Sequence, residues 1–263
     1  MKWHLVDLTV PLETTTSEPE PINIEWIDHR QGAFLLTKES QVHADSFPEG
    51  LGLNLERIQL TSHSGTHVDA PIHYGPTSQG KKARSIDEMP LDWFFGPAVV
   101  LDCRTDHHEH VTCQEIKDAL RRQKLSLESG DIVLINTGAD RLWGTRDYFT
   151  KFRGMSVEAT KWLINREIRV IGVDSFGFDP PFHKMIGSYE KTGDQQALWP
   201  CHMLGREHEY CQIERLANLS LLPTDCKFLI SCFPIRLKGC GAGPSRVVAL
   251  LSQEVRDEIF ASD

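Results

Sequence analysis

Thr61-Ser62-His63-Ser64-Gly65-Thr66-His67-Val68-Asp69-Ala70-Pro71-Ile72-His73 packs three histidines and a carboxylate into the eleven residues from His63 to His73. Imidazoles beside a carboxylate make a ligand set suited to zinc, manganese or iron. Gly65 and Pro71 disfavour one continuous helix, so the segment reads as a loop leaving a strand over residues 57–61. From an extended backbone His67 and Asp69, two residues apart, point the same way, and Gly65 lets the chain turn tightly enough for His63 to converge on them. A lone histidine in a polar loop reads more readily as a solvated or capping side chain. Four candidate ligands or proton carriers at turn-compatible spacing favour a site. His107-His108-Glu109-His110 holds as many histidines without a shaping Gly or Pro, and reads as an exposed turn open to adventitious metal.

Outward from this segment, short apolar β-branched runs at 97–103, 131–137, 170–174, 227–233 and 246–251 read as strands. Helical patterns lie between them. Thr112-Cys113-Gln114-Glu115 is a capping-box sequence opening a helix to about Gln123, and Ser156 caps a second carrying Val157, Ala159, Leu163 and Ile164. The alternation predicts an α/β fold with a central sheet in one domain spanning 1–263. An N-terminal arm over about residues 10–56 is polar and aperiodic, and reads as extended loops and short hairpins. Its Trp26, Phe34 and Phe47 read equally as pocket or interface residues and as cover for the core. A second irregular stretch at 179–200, containing Trp199, has the length of a lid or pocket wall.

A further imidazole and carboxylate would complete a two-metal site, and His202 and Glu214 are the candidates. Glu214 interrupts the apolar pattern of Ile213, Leu216 and Leu219; taken alone, a Glu followed by Arg215 reads just as well as a solvated helix face. No G-x-S-x-G elbow is present, which disfavours a serine hydrolase. Cys201 beside His202 reads better as a buried structural thiol than as a nucleophile. The run from Gly239 to Pro244 lacks the Lys and helix of a phosphate loop and reads as a turn between strands. Seven dispersed cysteines without a C-x-x-C pair suit reduced thiols, and a net charge of -9 disfavours nucleic acid and anionic membranes as partners. With no apolar run of spanning length or signal-peptide pattern, the expectation is a cytoplasmic protein.

The segment His63 to His73 resembles the H-x-G-T-H-x-D-x-P-x-H signature of the cyclase family, which includes bacterial kynurenine formamidases and isatin hydrolases. Val6-Asp7-Leu8-Thr9, Val173-Asp174 with Asp179-Pro180, the His202…Glu214 pair and Gly243-Pro244-Ser245-Arg246-Val247 extend the resemblance along most of the chain. It implies a swivelling β/β/α fold, a mixed sheet with a small barrel-like core and flanking helices, assembled as a homodimer or homotetramer. It implies that His63, His67 and Asp69 ligate one metal, that Asp69 bridges to a second held by His202, that Glu214 contacts one or both, and that His73 is the general acid/base. The implied activity is metal-dependent hydrolysis of an amide-type C–N bond in an aryl formamide or cyclic amide. Lactone hydrolysis, a biosynthetic cyclisation or dehydration, and a non-catalytic metal-binding module are the alternatives. Glu214 leans toward the form with two zinc ions, while the length of the chain leans toward isatin-hydrolase-like relatives with one manganese. The scattered aromatics suggest a small aromatic substrate.

Overall fold

The computed structural model describes residues 3–105 and 109–252, so of the histidine run at 107–110 the first two lie outside the described residues. Nine strands form one sheet: β1 (His4–Asp7), β2 (His67–Asp69), β3 (Phe95–Asp102), β4 (Ile132–Asn136), β5 (Val170–Val173), β6 (Cys211–Glu214), β7 (Phe228–Ser231), β8 (Ala242–Pro244) and β9 (Val248–Leu251). Their order is β1-β9-β7-β3-β4-β5-β6-β2-β8. The four middle strands β3 to β6 are parallel, and the flanking pairings are antiparallel. The α-helices among the described residues are α1 (His29–Thr37), α2 (Pro71–Tyr74), α3 (Cys113–Gln123), α4 (Val157–Ile164), α5 (Phe182–Thr192) and α6 (Pro200–Leu204). Parallel neighbours need long crossovers, and α3 to α6 supply them. Thr112 and Glu115 form the expected capping box on α3, and the Ser156 hydroxyl accepts from Ala159 N at the start of α4.

Strand alternation sorts the core onto two faces. Ala98, Val100, Ile132 and Leu134 pack with Val68, Ile213 and Ile230 on one side of the sheet. Val99, Leu101, Val133 and Ile135 meet Ile116 and Ala119 of α3 and Ala159 and Leu163 of α4 on the other.

The order of the strands requires the sheet to curl. In a flat sheet β8 and β9 would lie seven strand spacings apart, roughly 34 Å. Only Ser245, Arg246 and Val247 join them, a link that reaches about 14 Å at most. The two ends of the sheet therefore come together as a barrel-like wall, and the Thr9–Leu216 bridge ties the continuation of β1 to the end of β6.

Several elements differ from the expectations above. The arm holds the hairpin Asn23–Ile27 with Leu55–Gln59, but also α1, whose Asp28–Gln31 capping box starts a helix within the polar stretch. Residues 179–200 contain α5, whose Phe182, Met185, Ile186 and Tyr189 repeat at helical spacing although it buries only Met185. Part of the loop after residue 61 is a sheet strand, β2, followed by the short helix α2. The run read as a turn at 239–244 ends in edge strand β8, and Glu214 sits on a strand rather than a helix face.

Candidate metal centre

The site forms where β2 lies between β6 and β8, at the carboxyl end of the parallel strands. His67 and Asp69 occupy alternate positions of β2, so both side chains leave the same face, and register places His67 opposite Glu214. Gly65, with φ +61°, makes the turn that brings His63 back onto them; a Cβ there would meet Leu12 Cδ2 at 2.6 Å. His73 comes from α2, His202 from α6 and Glu214 from the end of β6.

All six sequence candidates meet. His63, Asp69 and His73 form one group of potential ligand atoms, and His67, Asp69 and Glu214 a second, each with its atoms within 4.8 Å of one another. Asp69 belongs to both. His202 Nε2 stands 3.9 Å from Asp69 Oδ2 and 3.9 Å from Glu214 Oε1. This grouping puts His73 as close to Asp69 as a ligand would be, beside the proton-carrying role that the resemblance implies.

The polar atoms test whether a cation fits. Asp69 is fully buried, yet neither of its oxygens has a hydrogen-bond partner, and His67 Nε2 is likewise orphaned. His63 Nδ1 lies 2.9 Å from Asp69 Oδ1 without the alignment of a hydrogen bond. A buried carboxylate that accepts no hydrogen bond lacks the partners that usually offset its desolvation. A cation among these imidazoles and carboxylates gives every orphan a partner, and the donor set suits zinc or manganese. The residues fit a metal.

Supporting contacts aim the candidate ligands. His67 Nδ1 donates to Gly65 O at 2.9 Å, which turns Nε2 toward the site. Asp179 accepts from Cys201 N at 2.7 Å and His202 N at 3.1 Å, and from His202 Nδ1, so it holds the imidazole as well as the start of α6. Glu214 Oε1 accepts from Phe178 N at 2.7 Å.

Burial and charge set the protonation of the cluster. Burial disfavours an ionised Asp69, but His67, His73 and the contact from His63 outweigh it and hold the carboxyl well below the usual range. Burial and the charge of Asp69 push Glu214 up. Burial pulls His73 down to about 4, the neighbouring histidines adding to it against Asp69. Burial acts the same way on His63 and His202, but Asp69 raises the former and Asp179 the latter.

A cavity of about 160 Å³ opens beside the cluster, and Phe152, Phe176, Phe178, Phe182 and Trp199 line it with His63, His73, His202 and Glu214. Trp199 stacks on the His202 ring at 4.3 Å and meets His73 edge-on at 5.1 Å. Of the aromatics singled out in the sequence, Trp199 alone is among these lining residues; Trp26 and Phe34 are each 68% exposed on the arm. Sequence reasoning passed over Asp179 as a site residue, although an acid before Pro180-Pro181 in an apolar context was a signal. It missed Glu18 and Arg215 as well, and Glu18 carried no signal.

Known proteins bear on this geometry. The chain is 25% identical to cyclase-like protein 1 of Arabidopsis thaliana over 216 residues, 79% of this chain and 73% of that protein. It is 31% identical to the kynurenine formamidase of Bordetella petrii over 137 residues, 52% of this chain and 59% of that enzyme. Solved structures share its fold, among them two isatin hydrolases. An isatin hydrolase bound to the product analogue thioisatinate superposes with a TM-score of 0.73 at 21% identity, covering 95% of this chain and 93% of that one. Isatin hydrolase A from Ralstonia solanacearum gives 0.74 at 24% identity, covering 95% and 92%. The family model described as "putative cyclase" matches residues 6–180, a span that takes in the whole segment from His63 to His73, and the chain therefore belongs to the cyclase family.

Proposed function

We propose that this protein is a metal-dependent hydrolase that cleaves an amide-type C–N bond next to an aromatic ring. The substrate is an aryl formamide such as N-formylkynurenine or a cyclic amide such as isatin. The observation that carries the reading is Asp69, buried with both oxygens free of hydrogen bonds and shared by two ligand groups. The likeness to a kynurenine formamidase and the fold shared with isatin hydrolases support it.

His63, His67, Asp69, His202 and Glu214 would hold the metal. When bound, the ion supplies Lewis-acid chemistry, activating water and polarising a carbonyl. The chain's own residues do the rest. His73 stands at the cavity wall, ring centroids 4.1 Å from His63 and 5.4 Å from His202. From there it takes a proton from attacking water and returns one to the departing nitrogen, which leaves poorly as an anion. The aromatic walls hold the aryl group and keep bulk water out. At about 160 Å³ the cavity suits a compact substrate.

The test is elemental analysis of protein purified without added metal, run with Asp69→Ala and Glu214→Ala and paired with hydrolysis assays on N-formylkynurenine and isatin. About two zinc ions per chain, falling in both variants, with formamide hydrolysis, supports the formamidase-like form. One manganese per chain, lost in Asp69→Ala and little changed in Glu214→Ala, with isatin turnover, supports the cyclic-amide form. No metal that can be restored to stoichiometry removes the reading.

A further inference from the structure

We propose that the buried ion pair between Glu18 and Arg215 is a positioning clamp for the turn that presents His63 and His67, an inference resting on the functional reading above. Glu18 lies in the N-terminal arm, in Ser17-Glu18-Pro19-Glu20, a sequence that reads as solvated. Its side chain is nevertheless 2% exposed and that of Arg215 5%, with Nη1 of Arg215 2.8 Å from Glu18 Oε2.

The pair grips the turn at two points. Glu18 Oε1 accepts from Gly65 N at 2.7 Å, and Arg215 Nη1 donates to His63 O at 2.7 Å. Gly65 O in turn receives His67 Nδ1, so a shift of this peptide would turn the His67 ring as well as move His63. Arg215 can reach the turn because its backbone is left-handed, φ +60°, which breaks strand alternation and brings its side chain to the same cavity as Glu214. A non-glycine residue there carries a strain that its surroundings must hold in place. Arg215 Nε donates to Phe176 O, its guanidinium stacks 4.4 Å over the Phe176 ring, and Thr66 Oγ1 donates to Arg215 O.

Stability alone gives a weak account of this pair. Desolvating two charges costs about as much as their attraction returns, and apolar residues of similar volume often serve a core equally well. What apolar residues cannot do is direct hydrogen bonds to both ends of a ligand-bearing turn.

The experiment compares the wild type with Glu18→Gln, with Glu18→Leu, and with Glu18→Leu combined with Arg215→Met, which removes both charges and keeps the volume. It reads the thermal midpoint, zinc affinity by chelator competition, and amide exchange at Gly65 in metal-free protein. The double variant is expected to melt near the wild type, to bind zinc about 10- to 100-fold more weakly, and to exchange the Gly65 amide at least tenfold faster. Glu18→Gln keeps an acceptor for Gly65 N and should bind zinc more tightly than Glu18→Leu. Wild-type zinc affinity with unchanged Gly65 exchange in the double variant overturns the clamp. Should the double variant not fold, equal zinc affinity in Glu18→Gln and Glu18→Leu does the same. A wild type that binds no zinc or manganese instead overturns the functional reading, and Gly65 exchange in the metal-free proteins still decides the clamp.

Discussion

His73 and Asp179 show how one substitution separates roles that proximity leaves joined. His73 shares a ligand group with His63 and Asp69 and also borders the cavity. If it carries protons, His73→Ala keeps its metal and loses about two to four orders of magnitude in turnover. Metal lost together with turnover, read by elemental analysis of the same samples, would make it a ligand. Asp179 lines the cavity and holds the His202 ring through Nδ1. Asp179→Asn should weaken metal binding about 10- to 100-fold while the circular dichroism stays that of the wild type; unchanged affinity would show that α6 alone sets the ring. The cluster itself was legible, because His63, His67, Asp69 and His73 lie within two turns of local chain. The role of Asp179 was not, because its partners at Cys201 and His202 are reached only through the fold.

Among the elements, the Gly154–Met155 strand packs tightly against the Asp179–Pro180 backbone beside the site. A Cβ at Gly154 would stand 2.3 Å from Asp179 C and Pro180 N, backbone atoms that cannot rotate away. Gly154→Ala should therefore lower stability by about 1–3 kcal/mol in urea unfolding and weaken metal binding by displacing Asp179. Asp174, just past β5, accepts from Thr137 N, Thr137 Oγ1, Gly138 N and Ala139 N and thereby fixes the turn after β4. Burial nevertheless pushes its carboxyl up to about 6 from 3.8. A raised acid pKa contributes stability that is full below the unfolded value and is lost as pH rises through the folded one. Between about pH 4 and pH 7 the wild type should thus lose about 2 kcal/mol relative to Asp174→Asn in urea unfolding. A constant difference across that range would place the folded pKa near its ordinary value. Helix α3 was readable from its own capping box, whereas α5 was passed over although Phe182, Met185, Ile186 and Tyr189 repeat at helical spacing, and of these the structure buries only Met185.

At the scale of the whole molecule, a metal held by the candidate ligands would link the sheet to itself, since they come from β2, β6, α2, α6 and the turn at His63. A ligand that binds only the folded chain adds about 4 kcal/mol when its concentration is a thousand times its dissociation constant. Chelation should lower the thermal midpoint of the wild type and leave that of Asp69→Ala unmoved; an equal response in both would mean that the ion does not depend on this site. Among the described residues no helix is long and apolar enough to cross a membrane. The sequence alone determined the local chemistry and the α/β class, because ligand spacing, strand runs and caps are encoded within a few residues of one another. Only the tertiary structure decided that Glu18, Asp179 and Arg215 meet that cluster, and how His202 and Glu214, already named from the sequence, are brought to it. Their approach depends on strand register, on a left-handed residue at the end of β6, and on a curl forced by the short link between β8 and β9, all of which are fixed by contacts distant in sequence.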